Sequence, residues 1–425
     1  METGKVIQKL QDGIYDSRLK ELYVDAESLE YERLRYIAAI ETYVEQFGEG
    51  DIEIYSAPGR SEIGGNHTDH QHGEVLAAAI NRDAIAIVGK TEEACVKIIS
   101  EGYELIKIDL DELQIKKTEY GTTQALIRGV LAGIKERGYN IGGFQAYITS
   151  DVLVGAGLSS SAAFETLIGT ILSYLFNRSE ISPVKIAMIG QYAENVYFHK
   201  PCGLMDQMAS SVGGLVHIDF HKPEEPVEEQ VVFDLEEHGY SLCITDTKGS
   251  HADLTPDYAA IPEEMKRVAK YFGKEVLSDV TQEEILSNIA EIREQAGDRA
   301  VLRAIHFVCE NKRVQKEVKA LQEDGFQEFL CLVKESGDSS YKYLQNVYTT
   351  HDVQHQGVSV GLAVSDMILG RQGVSRVHGG GFAGTIQAFV PNGQVIEYKE
   401  AMERVFGTDA CNILKIRRDG GTRVI

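Results

Sequence analysis

The chain has 425 residues, more than the ~100–200 of one ordinary globular core, so two domains or one large composite unit are expected. A net charge of −23 excludes a general nucleic-acid binder and a polybasic membrane-surface protein, both of which depend on basic patches. With 43% hydrophobic and 25% charged residues it is a folded chain, and its glycine excess, 41 residues, asks whether glycine serves scattered turns or loops where backbone must approach a ligand.

In chain order, the first fifty residues are charged and helical in pattern, with Leu34, Ile37, Ile40 and Val44 at helical spacing. Ile52 and Ile54 alternate with acids in a short strand, and the chain then breaks into the polar loop SAPGRSEIGGNHTDHQHG before VLAAAI resumes. Phe144, Ala146 and Ile148 alternate as a strand, after which DVLVGAGLSSSAAFETLIGTILSYLF passes from a glycine loop through three serines into an apolar helix. A further helix, VKIAMIGQYAENVYF, leads to HKPCGLMDQMASSVGGLVHIDF, read as a loop before a strand. From about residue 262 the pattern is helical and charged, until VSRVHGGGFAGTIQAFVPNG gives a glycine loop and a strand.

The six cysteines have no CxxC pair and no zinc-finger spacing, which fits a reduced cytoplasmic setting. The N-terminus has no signal-peptide core, and no apolar run approaches the ~18 residues of a membrane span. The expected partners are small molecules, without nucleic acid or membrane, in a monomer or weak homo-oligomer.

Three loops carry chemistry. In GAGLSSSAA (155–163), glycines before a helix turn backbone N–H groups toward an anion, and the helix N-terminus adds partial positive charge. Serine hydroxyls there can bond phosphate or ligate Mg²⁺, although a Walker A lysine is absent; a plain serine N-cap is the alternative. In RVHGGGFAG (376–384), Gly379, Gly380 and Gly381 lose much entropy on ordering, which close approach to a ligand or a neighbouring loop would offset. The loop holding Arg60, Glu62, Asn66, His67, Asp69, His70 and His72 suits a carbohydrate site, a metal site or a solvated loop, and the residues alone do not separate these. Asp206 lies in the apolar stretch CGLMDQMAS, where an aspartate must be paired or functional.

Taken together, GRSEIGGNHTD, GAGLSSSAAFE, PCGLMDQ and RVHGGGFAG, in that order, resemble the signature loops of the galactokinase branch of the GHMP kinases, with AENVYFHKPCG and RAIHFVCENKRV in support. The resemblance runs from about residue 30 to the end. It implies an α+β, two-domain kinase with its active site in the cleft: an N-terminal extension (1–30), an N-terminal domain (31–220) and a C-terminal domain (221–425) carrying the third glycine loop. It further implies transfer of the ATP γ-phosphoryl group, with Mg²⁺, to a sugar C1 hydroxyl, galactose first. Arg60 and Asp206 match the catalytic arginine and aspartate, and His67, Asp69, Gly203 and Tyr258 match sugar contacts, with Asn66 beside them. Gly155, Gly157, Ser159, Ser160 and Ser161 match the ATP phosphate loop, and Ser161 with Glu194 matches the Mg²⁺ ligands.

The chain departs from the family pattern at Glu62, where asparagine is usual, at Asn66, where glutamate precedes HTD, and at His70, Leu153, Thr123 and Leu126. A glutamate facing the sugar's C6 oxygen would repel a C6 carboxylate by ~4 kcal/mol at 4 Å and an effective dielectric of 20. Neutral Asn66 removes that repulsion, so D-galacturonate is the alternative substrate. A non-catalytic sugar and ATP sensor is the alternative of another class; the intact serine loop with Arg60, Glu194 and Asp206 speaks for an enzyme.

Overall fold

The computed structural model describes residues 1–25, 28–152, 157–249 and 254–425. Helices α1 (Thr3–Gln11), α2 (Asp16–Tyr23) and α3 (Leu29–Phe47) precede strands β1 (Glu53–Gly64), β2 (Glu74–Lys90), β3 (Cys95–Ser100) and β4 (Ile106–Asp109). Then follow α4 (Thr123–Glu136), β5 (Phe144–Ser150), α5 (Ser160–Asn177), α6 (Pro183–Tyr192), α7 (Met205–Val212), β6 (Leu215–Asp219), β7 (Val227–Gln230) and β8 (Tyr240–Asp246). The remainder is α8 (Thr255–Tyr271), α9 (Gln282–Ser287), α10 (Ile289–Ala296), α11 (Asp298–Gln322), α12 (Phe326–Ser339), α13 (Gly357–Leu369), β9 (Val374–Val377), β10 (Thr385–Pro391), α14 (Val395–Phe406), β11 (Cys411–Leu414) and β12 (Thr422–Arg423). This is the expected α+β class, and no described helix is long and apolar enough to cross a membrane.

The first sheet runs β12-β1-β2-β5-β3-β4, and the long strand β2 serves two partners: its residues 84–90 pair with β5 and its residues 74–78 with β6, which carries β7. The second sheet runs β11-β8-β10-β9, antiparallel throughout. A single apolar cluster joins them, with Ile63, Leu76 and Leu158 on one side, Leu242, Ile244, Phe389 and Leu414 on the other, and Phe329 and Val333 of α12 between. At roughly 1.5–3 kcal/mol for each large side chain removed from water, this shared core ties the two sheets together.

Strand β1 is much longer than the short strand expected at Ile52 and Ile54, and takes in SAPGRSEIG. Its centre lacks alternation because nearly every residue is buried, so a period of two is invisible there. Register shifts fall between Pro58 and Arg60 and between Glu62 and Gly64, where a proline without an N–H is tolerated and side chains are re-aimed. Helix α7 also departs from the sequence pattern, which places MDQMASSV in a loop. Its eight residues carry too few apolar repeats to declare a period, and packing against α5, α6 and β1 holds it instead.

Helix α3 buries Tyr36, Ala39, Ile40 and Tyr43, while Leu34 from the expected stripe is 60% exposed. Tyrosines displace leucine in this core because their hydroxyls find partners: Tyr23 and Tyr36 hydroxyls lie 2.9 Å apart, and Tyr43 accepts from Gln145 Nε2 at 3.0 Å. The first helices belong to the same core, with Val6, Leu10, Leu19 and Leu22 packed on Ile54, Ile85 and Ile87.

That packing is pinned by Asp83, which is fully buried. Its carboxylate accepts from Tyr23 at 2.9 Å, Arg35 at 2.8 Å and Arg417 at 3.0 Å, and also from Ser56. Burial pushes the Asp83 carboxyl up, but Arg35 and Arg417 outweigh it and hold it below the ordinary carboxylate value. Asp83→Ala would strand two buried guanidinium groups, so urea unfolding should give a loss of about 3–5 kcal/mol. A depressed folded value means that this stability is present above the ordinary carboxylate value of ~3.9 and is lost as pH falls through the folded value, and Asp83→Asn should remove that acid-dependent component.

Candidate active site

Arg60 comes from β1 between the two bulges, where the strand turns its side chain toward α7. Its Nε donates to Asp206 Oδ1 at 2.7 Å and its second guanidinium arm to Oδ2 at 2.9 Å, a bidentate pair. The remaining arm donates to the carbonyl of Gly157, and Ser159 Oγ donates to Asp206. Asp206 occupies the first turn of α7, where the helix dipole favours a carboxylate. Withdrawal from water pushes its carboxyl up, and Arg60, Ser159 and Lys200 together outweigh this and hold it below the ordinary range. Arg60 is nearly buried, whereas the Asp206 side chain is 34% exposed, so the carboxylate end of this pair opens to solvent.

The serine loop meets the same pair. Ser159 has φ of +59° and precedes α5, and no side chain caps the helix there. Leading N–H groups of α5 therefore lack an intrahelical acceptor and form an anion-binding terminus. Gly157 has φ of +68°, and a Cβ there would come within 2.7 Å of Thr385 Oγ1, so only glycine lets the loop pass this close to β10. Gly155 and Leu153 lie outside the described residues. Ser160 opens α5, and Ser161 Oγ stands 3.4 Å from Glu194 Oε1.

Glu194 belongs to a π-helical turn, Ala193–Phe198, that continues α6. Its Oε2 accepts from Gln207 Nε2 at 2.9 Å, and Gln207 also reaches buried Glu165 at 3.1 Å. Lys200 Nζ lies 3.0 Å from Glu194 Oε1. Burial, and then the nearby Glu194 charge, push the Glu165 carboxyl well up, and its other oxygen has no partner. An exposed-edge serine hydroxyl with a carboxylate oxygen is a hard oxygen donor pair of the type that suits Mg²⁺ shared with phosphate and water. Helix α4, which begins at Thr123 and buries Leu126, packs against this turn.

In the loop after β1, which the family resemblance marks as the sugar loop, Asp69 Oδ1 accepts from the His70 N–H at 2.8 Å, and its Oδ2 lies so near Gly203 that a Cβ there would be 1.7 Å away. His67 Nε2 is 3.1 Å from the Gly380 carbonyl, and burial followed by the charge of His70 lowers its pKa to about 3. The imidazole is thus neutral and donates its Nε2–H. Tyr258 donates to the Gly381 carbonyl at 2.9 Å, and its ring meets Phe382 edge-on. No group of three or more histidine, cysteine or acidic side chains is placed to hold a metal among the described residues.

Asn66 stands apart from these. It is fully buried, and its amide is consumed within the protein: Nδ2 donates to Glu62 at 3.0 Å and to the Gly379 carbonyl at 2.8 Å, while Oδ1 accepts from Asn346 at 2.9 Å and Ser340 at 3.2 Å. Glu62 is buried too and pairs with Arg376, which also donates to Ser336 at 2.9 Å. The carbonyls of Gly379, Gly380 and Gly381 are all engaged by Asn66, His67 or Tyr258, so the third glycine loop closes onto the sugar loop through its backbone. Sequence reasoning missed Gln207, Glu165, Lys200 and Arg376; the only signal for them was adjacency to the motifs.

Comparison with known proteins bears on the same segments. The galactokinase galactose-binding signature matches residues 41–90, and the GHMP kinases N terminal domain matches residues 125–214. The galactokinase of Glaesserella parasuis serovar 5 (strain SH0165) is 32% identical over 363 residues, covering 83% of this chain and 89% of that protein. That of Streptomyces coelicolor is 27% identical over 386 residues, covering 90% and 97%. Among solved structures, Lactococcus lactis galactokinase complexed with galactose superposes with a TM-score of 0.78 at 24% identity, over 92% of this chain and all of the other, and a mevalonate kinase with a TM-score of 0.59 at 15% identity, over 85% and 98%. With the serine loop bonded to Arg60 and Asp206, the third glycine loop closed onto the sugar loop, and relatives matched over nearly their full length, the chain belongs to the galactokinase family of GHMP kinases.

Proposed function

We propose that the protein is an ATP-dependent sugar 1-kinase that converts D-galactose to galactose 1-phosphate and ADP, in the cytoplasm. The observation that carries this reading is the Asp206 carboxylate, held by Arg60 and Ser159 at an opening beside the uncapped N-terminus of α5. An anion-binding helix end and an oriented carboxylate are what transfer from ATP to a hydroxyl requires.

The γ-phosphorus would form a bond to the sugar O1 as its bond to the β,γ-bridging oxygen breaks, and the C1 hydroxyl proton would pass to Asp206. An aspartate ionised this firmly is a weak base before reaction, so its work is to orient the hydroxyl and receive the proton late, as the new bond makes that oxygen acidic. Arg60 keeps Asp206 charged and aimed. Ser161 and Glu194 would hold Mg²⁺, which supplies charge neutralisation on the phosphates. The first turn of α5 and the loop at Gly157 would cradle the phosphates, with Ser160 at the helix start. Asp69, His67, Gly203 and Tyr258 would border the sugar.

Galactose is favoured over galacturonate because two of the departures from the family pattern, Glu62 and Asn66, fall on one hydrogen-bonded pair. Glu62 bonds Asn66 directly, so the carboxylate has exchanged places with its amide partner instead of being lost. No neutral amide is left facing a C6 carboxylate.

Two measurements check this reading. Purified protein with ATP and Mg²⁺ should give a higher kcat/KM for D-galactose than for D-galacturonate; the reverse order would assign the acid, and calorimetric sugar binding without ADP release would make the protein a sensor. Asp206→Asn should lower kcat by about 10²–10⁴-fold while galactose binding stays measurable. In the wild type, Asp206's lowered value means it stays charged, so it should impose no loss of activity between pH 7 and about pH 5.

A further inference from the structure

Lys200 has no counterpart in the machinery described above, yet the fold goes to some length to place it. The chain leaves α6 through the π-helical turn Ala193–Phe198 and reverses at His199, whose φ of +67° puts a non-glycine residue in the left-handed region. Such turns and such residues concentrate at functional sites. The His199 ring stacks on Tyr120 with centroids 4.5 Å apart and planes inclined by 12°, and the Phe198 carbonyl accepts from the Gly121 N–H at 3.0 Å, so the reversal is clamped from outside. Its result is that Lys200 folds back on the turn's own glutamate: the backbone N–H donates to the Glu194 carbonyl at 3.1 Å, and Nζ lies 3.0 Å from Glu194 Oε1.

The position of that ammonium is informative. Ser161 Oγ stands 3.4 Å from the same carboxylate oxygen, so Lys200 occupies the oxygen assigned above to Mg²⁺. Glu194 is nearly buried, with 4% side-chain exposure, while Lys200 is 62% exposed and free to swing on a flexible stem. Ser161 lies in the first turn of α5 and shares that oxygen with Lys200, so the ammonium already rests beside the start of the helix.

We propose that Lys200 is a phosphate-binding residue of the phosphoryl transfer: it rests on Glu194 in the nucleotide-free enzyme and would move onto the phosphate oxygens of ATP when that carboxylate holds Mg²⁺ instead. The family's phosphate loop lacks a Walker A lysine, and Lys200 supplies the missing point charge from a different segment. The ammonium stays protonated and transfers no proton, and its work is to neutralise charge on the transferring group. This rests on the reading of Ser161 and Glu194 as the Mg²⁺ site.

The test compares Lys200→Met and Lys200→Arg with the wild type, using galactose, MgATP and, as a metal probe on the nucleotide-free enzyme, Mn²⁺. Lys200→Met should lower kcat by about 10²-fold or more with galactose affinity unchanged, and Lys200→Arg should restore part of the rate. Mn²⁺ should bind the nucleotide-free Lys200→Met enzyme more tightly than the wild type, because no ammonium competes for Glu194; a merely structural lysine would not produce this. Wild-type turnover in Lys200→Met, or a loss that arginine does not relieve and that leaves Mn²⁺ affinity unmoved, would overturn the proposal. Glu194→Gln separates the two layers: unaltered Mg²⁺ dependence in that variant would remove the metal site and the exchange together, whereas a weakened one beside a normal Lys200→Met would sink the role of Lys200 alone.

Discussion

The Arg60–Asp206 ion pair is the constraint from which the arrangement of the site follows. Arg60 is only 6% exposed, and a guanidinium withdrawn from water is tolerable only if all its donors are satisfied in good geometry. Nε and one terminal nitrogen are met by the carboxylate and the other terminal nitrogen by the carbonyl of Gly157. Meeting those demands fixes three elements at once: the bulged middle of β1, the first turn of α7 and the serine loop ahead of α5. The carboxylate is thereby held ionised at the opening, and the free N–H groups of α5 stand beside it.

A second buried network holds the other wall. Glu62, Asn66, Arg376, Ser336 and Asn346 link the end of β1 to α12, β9 and the segment between α12 and α13, and the Gly379 carbonyl joins the same network through Asn66. His306 contributes from α11, with Nε2 2.9 Å from the Asn66 carbonyl and Nδ1 2.9 Å from Ser339 Oγ. The glycine excess thus has a partial physical account. Gly157 allows a loop to pass against β10, Gly203 admits Asp69, and Gly379–Gly381 bring carbonyls to side chains of the sugar loop. The net charge of −23 has no such local role, and in the proposed reading attraction of an anionic nucleotide would come from the N-terminus of α5, Lys200 and Mg²⁺.

Much of the fold and site could be read from the sequence because its signals are local. Strand β5 alternates, α5 follows a serine loop, and the ordered motifs identify the family. What escaped depends on distant partners. Asn66 looked like a ligand-facing amide, but its role is set by Ser340 and Asn346, 274 and 280 positions away, which no spacing rule connects to it. Strand β1 looked like a loop because burial on both faces erased its period, and α7 is too short to declare one. Lys200 carries no signal of its own in the sequence, since only the π-helical turn and left-handed His199 bring it back to Glu194.

The central claim is that these two networks shape a site that moves a phosphoryl group to the anomeric oxygen of galactose. Phosphorus NMR of the product formed from D-[1-¹³C]galactose, ATP and Mg²⁺ examines that bond directly. The account expects a phosphate resonance split by coupling to the labelled carbon, with ADP formed in equal amount. A sugar phosphate without that coupling, or ADP release with no sugar phosphate at all, would contradict it.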